Sequence, residues 1–117
     1  NEALMQRAQA RGVHLSCLQS NHEGVLIDAL HRAIGDGTEA VVLNAAGFTH
    51  SSVALRDAVG GCGIPVIEVH LSNTAAREGF RRRSLIAPVV VGSIAGFGMD
   101  SYLLGLDAAI ATVRNRS

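Results

Sequence analysis

Apolar residues in this chain follow two spacings, and the two kinds of segment alternate along its length. Continuous or every-second apolar positions are typical of strands, whereas apolar residues at every third or fourth position are typical of helices. The pattern predicts strands over 13–19, 40–44, 65–70 and 88–94. It predicts helices over 2–11, between Ser20 and Gly35, and over 52–60, 74–82 and 99–114.

Two of the predicted helices are preceded by residues that can cap a helix. Ser20 and Glu23 have the spacing of a capping box, in which each side chain satisfies a backbone N–H of the first turn. Thr49 or Ser51 can cap the helix predicted over 52–60. These residues therefore set the expected starting points of both helices.

The alternation of short apolar strands with helices predicts an α/β fold, with a parallel sheet covered by helices on both faces. The continuous apolar runs at 40–44 and 88–94 predict strands that are buried on both faces. The 117 residues fit one compact domain. Ligands of such sheets bind outside the carboxyl ends of the strands, so the polar residues that follow each strand are the candidates for a site.

Composition excludes several classes of partner. The formal net charge is zero, so no overall basic field attracts nucleic acid or an anionic membrane, and aromatic residues (3%) are too few for a base-stacking surface. No apolar run is long enough to span a bilayer, and no spacing of His, Cys, Asp and Glu indicates a metal site. Cys17 and Cys62 lie far apart, which favours reduced thiols and a cytoplasmic location.

Asn44 ends a predicted strand and is followed by small residues and then by His50. Small residues let the backbone approach a ligand closely, and an amide and an imidazole then flank one tight loop. An ordinary strand-to-helix turn, with a solvated His50 and an Asn44 that bonds to the backbone, explains the same pattern. The spacing by itself favours that ordinary turn.

Glu68 and His70 lie two positions apart on a predicted strand, so their side chains face the same side of the sheet. A carboxylate beside an imidazole fixes the tautomer of the ring and raises its basicity. Two ionisable groups on a buried strand need a partner or a function. A catalytic pair and a structural ion pair are both consistent with this spacing.

Ser72 and Asn73 follow the same strand, immediately before a predicted helix. The backbone N–H groups at a helix start favour an anion, so a substrate carboxylate fits there, although Ser72 can equally be an ordinary N-cap. Arg77 and Arg81 lie four positions apart and share a helix face. They can hold hydroxyl or carboxylate oxygens, or form a solvated basic face.

The order of these motifs is more specific than any one of them. The matching segments run over essentially the whole chain, and together they resemble those of type II dehydroquinases. They are residues 19–24 (QSNHEG), 43–47 (LNAAG), 49–57 (THSSVALRD), 65–73 (PVIEVHLSN) and 92–98 (GSIAGFG).

The resemblance implies a flavodoxin-like fold, a three-layer sandwich around a parallel sheet, and a cytoplasmic lyase of the shikimate pathway, which leads to the aromatic amino acids. Such an enzyme is a 3-dehydroquinate dehydratase. It removes water from 3-dehydroquinate by anti elimination through an enolate, and gives 3-dehydroshikimate. The resemblance also implies no metal or cofactor, and a homododecamer built from trimers.

The resemblance also implies roles for individual residues. His50 matches the general acid that protonates the departing hydroxyl, and Glu68 matches the carboxylate that orients it. Asn44 matches the amide that binds substrate and the water near the enolate oxygen. Asp57 matches a residue that reaches the active site of a neighbouring subunit.

The remaining matched residues are implied to bind substrate. His70 and Arg81 match contacts to the ring hydroxyls, and Leu71 and Ser72 match the cradle of the substrate carboxylate. Arg77 matches a residue that supports the mobile lid over the active site.

Members of this family begin with a strand, an Asn-Gly-Pro-Asn turn and a lid that carries an Arg and the Tyr base. We interpret residues 1–117 as a single dehydroquinase-like domain without that first strand and lid; Tyr102 lies in the last helix, where it cannot serve as the base. The strands at 13–19 and 40–44 would then flank a gap lined by unpaired backbone groups. We expect the chain to be a fragment of a longer protein that carries the first strand and the lid. The alternatives are a chain that pairs with a separate N-terminal piece, an inactive ligand-binding or scaffold subunit, and a flavodoxin-like phosphate or nucleotide binder.

Overall fold

The computed structural model describes Gln6, Gln9, residues 11–73 and residues 84–116. Strands and helices alternate through this part of the chain, as predicted. The α-helices are α1 (Glu23–Gly35), α2 (Val53–Gly61) and α3 (Asp100–Asn115). The strands are β1 (Leu15–Gln19), β2 (Ala40–Asn44), β3 (Val66–His70) and β4 (Gly92–Ala95), and short 3-10 helices span Ala46–His50 and Ala87–Val89.

The four strands form one parallel sheet in the order β1-β2-β3-β4. The predicted α/β class with a parallel sheet is therefore confirmed. The helix predicted over 74–82 lies entirely outside the described residues, and the helix predicted over 2–11 lies mostly outside them. No helix of the described part is both long and apolar enough to cross a membrane.

The gap expected between the first two strands is not present. β1 pairs directly with β2 over five residues, from Leu15 opposite Ala40 to Gln19 opposite Asn44. The expectation was wrong because two neighbouring parallel strands can satisfy each other's N–H and C=O groups, whereas unpaired buried groups are costly.

The sheet separates two apolar cores, which makes the fold a sandwich of three layers. α3 covers one face, and α1 and α2 cover the other. The α3 core contains Leu15, Ala40, Val42, Ile67, Val69, Tyr102, Leu106, Ala109 and Ile110 among its buried residues. The opposite core contains Leu26, Leu30, Ala33, Val41, Leu43, Leu55, Val59, Val66 and Ile86.

The strand predicted over 88–94 begins later and is less buried than expected. Residues 87–89 form a 3-10 helix, and β4 spans Gly92–Ala95 with its first two residues exposed. Pro88 has no N–H to donate to a sheet ladder, so it delays the strand. β4 also lies at the end of the described strand order, so it is flanked on one side only.

Neither helix is capped by the residue that was predicted to cap it. α1 begins at Glu23 after His22, without a side-chain cap, and the Ser20 hydroxyl instead accepts the His22 N–H at 3.0 Å. That short-range bond forms a local turn that replaces the capping box. α2 is capped by Ser52, whose Oγ accepts the N–H of Leu55 at 2.9 Å.

Candidate active site

A pocket of about 230 Å³ opens at the carboxyl ends of β2 and β3. This is where a parallel α/β sheet is expected to bind its ligand. Four residues of the pocket were candidates from the sequence, and the other two are small residues of the loop after β2. Its lining consists of Asn44, Ala46, Gly47, His70, Leu71 and Ser72.

The Asn44 side chain is held at both ends. Its Oδ1 accepts the N–H of Ala46 at 3.0 Å, and its Nδ2 donates to the Tyr102 hydroxyl at 2.9 Å. Ala46 adopts φ of +51°, a left-handed conformation that is uncommon for a residue with a Cβ. The bond from Ala46 to the Asn44 side chain helps to stabilise this turn, since Asn side chains commonly bond to the backbone two residues on.

Tyr102 connects Asn44 to a third element. Its hydroxyl donates to Gln19 Oε1 at 2.8 Å, so the network joins β1, β2 and α3. This role of Tyr102 was not predicted from the sequence, where Tyr102 was considered only as a base and rejected. A usable signal was its position four residues before Leu106, on the buried face of α3, because a buried Tyr hydroxyl needs a hydrogen-bond partner.

Glu68 and His70 face the same side of the sheet, as their spacing predicted. The Glu68 Oε2 lies 3.2 Å from the His70 Nε2, and the Glu68 side chain is almost fully buried. His70 is the last residue of β3 and lines the pocket. The pair therefore places an imidazole at the pocket wall with a buried carboxylate behind it.

Three hydroxyl groups complete the surroundings of the Glu68 carboxylate. Thr49 Oγ1 and Ser84 Oγ (2.8 Å) donate to Oε2, and Ser93 Oγ donates to Oε1 at 2.7 Å. Burial by itself raises the pKa of a carboxyl group. Here the hydrogen bonds from His70, Thr49, Ser93 and Ser84 outweigh burial and lower the pKa of Glu68 to about 2. Glu68 is thus ionised at neutral pH.

This set of hydroxyl groups was not predicted from the sequence. Thr49 was considered as a possible helix cap and as part of a matched segment, Ser84 was not named, and Ser93 was only part of a matched segment. They lie 19, 16 and 25 residues from Glu68 along the chain. No local spacing signals such contacts, because only the packing of the loops and strands around Glu68 creates them.

His50 ends the 3-10 helix that follows β2 and is partly exposed. It does not line the pocket at Asn44 and His70. Its neighbour Thr49 is fully buried and donates to Glu68, so the carboxylate anchors the turn that carries His50. The direct partners of Glu68 described above are hydroxyl groups and His70.

The other predicted residues are placed as follows. Asp57 is exposed on α2 and is not part of the pocket lining. Arg77 and Arg81 lie outside the described residues. Within residues 11–73 and 84–116, no group of three His, Cys, Asp or Glu side chains is arranged to hold a metal ion.

The family model of class II dehydroquinases matches residues 1–110. The chain belongs to the class II dehydroquinase family. Two dehydroquinase relatives named 3-dehydroquinate dehydratase illustrate the similarity. The protein of Gloeobacter violaceus is 59% identical over 110 residues, which cover 94% of this chain and 68% of the relative. That of Trichodesmium erythraeum is 52% identical over 116 residues, which cover 99% and 77%.

Solved dehydroquinase structures have the same fold as this chain. The type II dehydroquinase of Butyrivibrio crossotus superimposes with a TM-score of 0.84 at 38% identity, over 92% of this chain and 75% of that one. The enzyme of Propionibacterium acnes gives 0.82 at 35% identity, over 94% and 80%. The expected flavodoxin-like dehydroquinase fold is therefore confirmed.

Proposed function

We propose that this chain acts as a 3-dehydroquinate dehydratase, a hydro-lyase that converts 3-dehydroquinate to 3-dehydroshikimate in the shikimate pathway. The observation that carries the proposal is one pocket, in a class II dehydroquinase, lined by Asn44 and by a His70 that contacts a buried carboxylate. The named dehydratase relatives support this function rather than an inactive subunit.

The reaction breaks a C–H bond beside the ketone and a C–O bond at the neighbouring carbon, and forms a C=C bond. A base first takes the proton and leaves an enolate. The enolate then expels the hydroxyl, which a general acid protonates to water. Catalysis therefore needs a group that stabilises negative charge on oxygen and a group that delivers a proton.

Asn44 is proposed to stabilise the enolate oxygen, directly or through a water molecule. Its Nδ2 carries two hydrogens, and one is donated to Tyr102. The second remains for a ligand in the pocket that Asn44 lines. Because the amide is neutral and fixed at both ends, it can stabilise developing charge without first reorienting.

We propose His70 as the general acid in preference to His50, the residue implied by the resemblance. His70 lines the pocket, and its Nε2 lies 3.2 Å from the ionised carboxylate of Glu68. The carboxylate fixes the orientation of the ring through Nε2, so Nδ1 is the atom proposed to deliver the proton to the departing hydroxyl. His50 remains the second candidate, since Thr49 beside it bonds to the same carboxylate.

Leu71 and Ser72 are proposed to cradle the substrate carboxylate. They follow His70 at the end of β3, and both line the pocket. Arg81 is proposed to contact a ring hydroxyl, and Arg77 to support a lid. Asp57 is exposed on α2, which is consistent with its proposed reach into a neighbouring subunit.

We further propose a cytoplasmic homododecamer built from trimers that works without metal or cofactor. Light scattering after size exclusion measures the assembly directly. A trimer or dodecamer supports the proposed role of Asp57, whereas a stable monomer with full activity contradicts it.

The decisive experiment compares histidine variants by the ultraviolet absorbance of 3-dehydroshikimate, in this chain and in a form extended by the first strand and lid of a class II relative. His70→Asn should lower kcat at least about a hundredfold, the usual contribution of a general acid. His50→Asn should lower it less than about tenfold. The control is His31→Asn on the exposed face of α1, which should leave kcat unchanged.

The reverse order of effects would return the acid role to His50. If the unmodified protein folds and binds 3-dehydroquinate but forms no product in either form, the dehydratase assignment is wrong and the ligand-binding alternative holds.

A further inference from the structure

We propose that Tyr102 is a positioning residue, whose hydroxyl keeps the Asn44 amide in the single orientation that presents Nδ2 to the reaction. The inference rests on the proposed function, since it requires Asn44 to act on the substrate or its bound water. Tyr102 belongs to the α3 core, and it contacts the end of the Asn44 amide that does not bond to the loop after β2.

The hydrogen-bond directions define the orientation of the amide. A Tyr hydroxyl has one hydrogen, and in Tyr102 this hydrogen is donated to Gln19 Oε1. The oxygen can then only accept from Asn44, so it must meet Nδ2 and not Oδ1. At the other end, the Ala46 N–H must meet Oδ1 and not Nδ2.

A rotation of the Asn44 amide by half a turn would make both contacts repulsive. The Ala46 N–H would face an N–H₂ group, and the Tyr102 oxygen would face a carbonyl oxygen. Asn44 and Tyr102 are each only 7% exposed, so water cannot readily replace the lost bonds. Tyr102 and Ala46 thus act together as a two-point clamp on one amide.

Packing by itself does not explain the hydroxyl. The Tyr102 ring belongs to the buried cluster with Leu106 and Val69, and a Phe ring would fill that space equally well. The hydroxyl instead lies at the end of β2, beside the pocket, and bonds to a residue that lines it. The Tyr102 ring therefore contributes to the core, whereas its hydroxyl contributes to the site.

The test is Tyr102→Phe, which keeps the ring and removes the hydroxyl. We expect kcat to fall about tenfold, equivalent to about 1.4 kcal/mol in the barrier, with KM changed less than about twofold. Binding of the ground state changes little because the pocket lining is intact. The control is Ile110→Val, which weakens the same core on the same helix without touching the network, and should lower Tm but not kcat.

A double-mutant cycle with Asn44→Ala isolates the proposed coupling. Once Asn44 is removed, Tyr102→Phe should cause no further loss of kcat. Unchanged kcat in Tyr102→Phe, or an equal additional loss in the Asn44→Ala background, would overturn the inference while leaving the proposed function intact. Full activity of Asn44→Ala would overturn both the inference and the proposed role of Asn44.

Discussion

The buried carboxylate of Glu68 makes the stability of this fold depend on acid. Its pKa is lowered from the ordinary value of 4.5 to about 2, with burial opposing the change and the bonds from His70, Thr49, Ser93 and Ser84 causing it. Each unit of pKa difference between the folded and unfolded states corresponds to about 1.4 kcal/mol, so the lowering amounts to about 3 kcal/mol of stability.

The direction follows from which state binds the proton more tightly. Because the folded pKa is depressed, the unfolded chain takes up the proton first as the pH falls. The contribution is fully present above the unfolded pKa of about 4.5 and is lost as the pH approaches the folded pKa of about 2. We expect the free energy of unfolding to decline through that window.

Urea unfolding followed by circular dichroism, from about pH 7 to about pH 3, measures this free energy. Glu68→Gln should be less stable at neutral pH by up to about 3 kcal/mol, and its stability should depend less steeply on acid than that of the unmodified protein. Asp28→Asn serves as the matched control, since Asp28 is an exposed carboxylate on α1. A parallel loss of stability in the two variants and the unmodified protein as the pH falls would contradict this role of Glu68.

Two further predictions concern packing and capping. A Cβ on Gly105 would lie 2.7 Å from the Val69 Cγ2, so Gly105→Ala should destabilise the packing of α3 by roughly 1–3 kcal/mol. The higher helix propensity of Ala offsets about 1 kcal/mol of this loss. Gly24→Ala in α1 meets nothing within 4 Å and should instead raise Tm; equal shifts of Tm in both variants would contradict the packing argument. Ser52→Ala removes the bond to the Leu55 N–H and should cost about 1 kcal/mol in urea unfolding, and Ser52→Asp should restore most of it.

The order of elements could be predicted because the underlying signals are local. Strand and helix periodicities are written in neighbouring residues, so β2 and β3 were predicted to within one residue of their observed bounds. The fine bounds were less predictable where side chains compete for backbone groups. Ser20 bonds to His22 in place of the expected capping box, and Pro88 delays β4.

Part of the site was also predictable from local rules. Asn44 and His70 end neighbouring parallel strands, so their side chains had to meet at one edge of the sheet. The two-residue spacing of Glu68 and His70 placed both on one face, and their contact at 3.2 Å follows from that geometry. The sequence did not distinguish His50 from His70 as the better-placed imidazole, since His70 ends β3 and His50 lies in the loop after β2.

By itself, then, the sequence determined the α/β class, the edge of the sheet where the site lies and the pairing of Glu68 with His70, because each depends on periodicities of a few residues. Only the tertiary structure decided the direct pairing of β1 with β2 and the contact of Asn44 with Tyr102, 58 residues away. It also decided which hydroxyl groups keep Glu68 ionised. These contacts join residues that are remote in the chain, and they form because buried polar groups must find partners wherever the folded backbone brings them close.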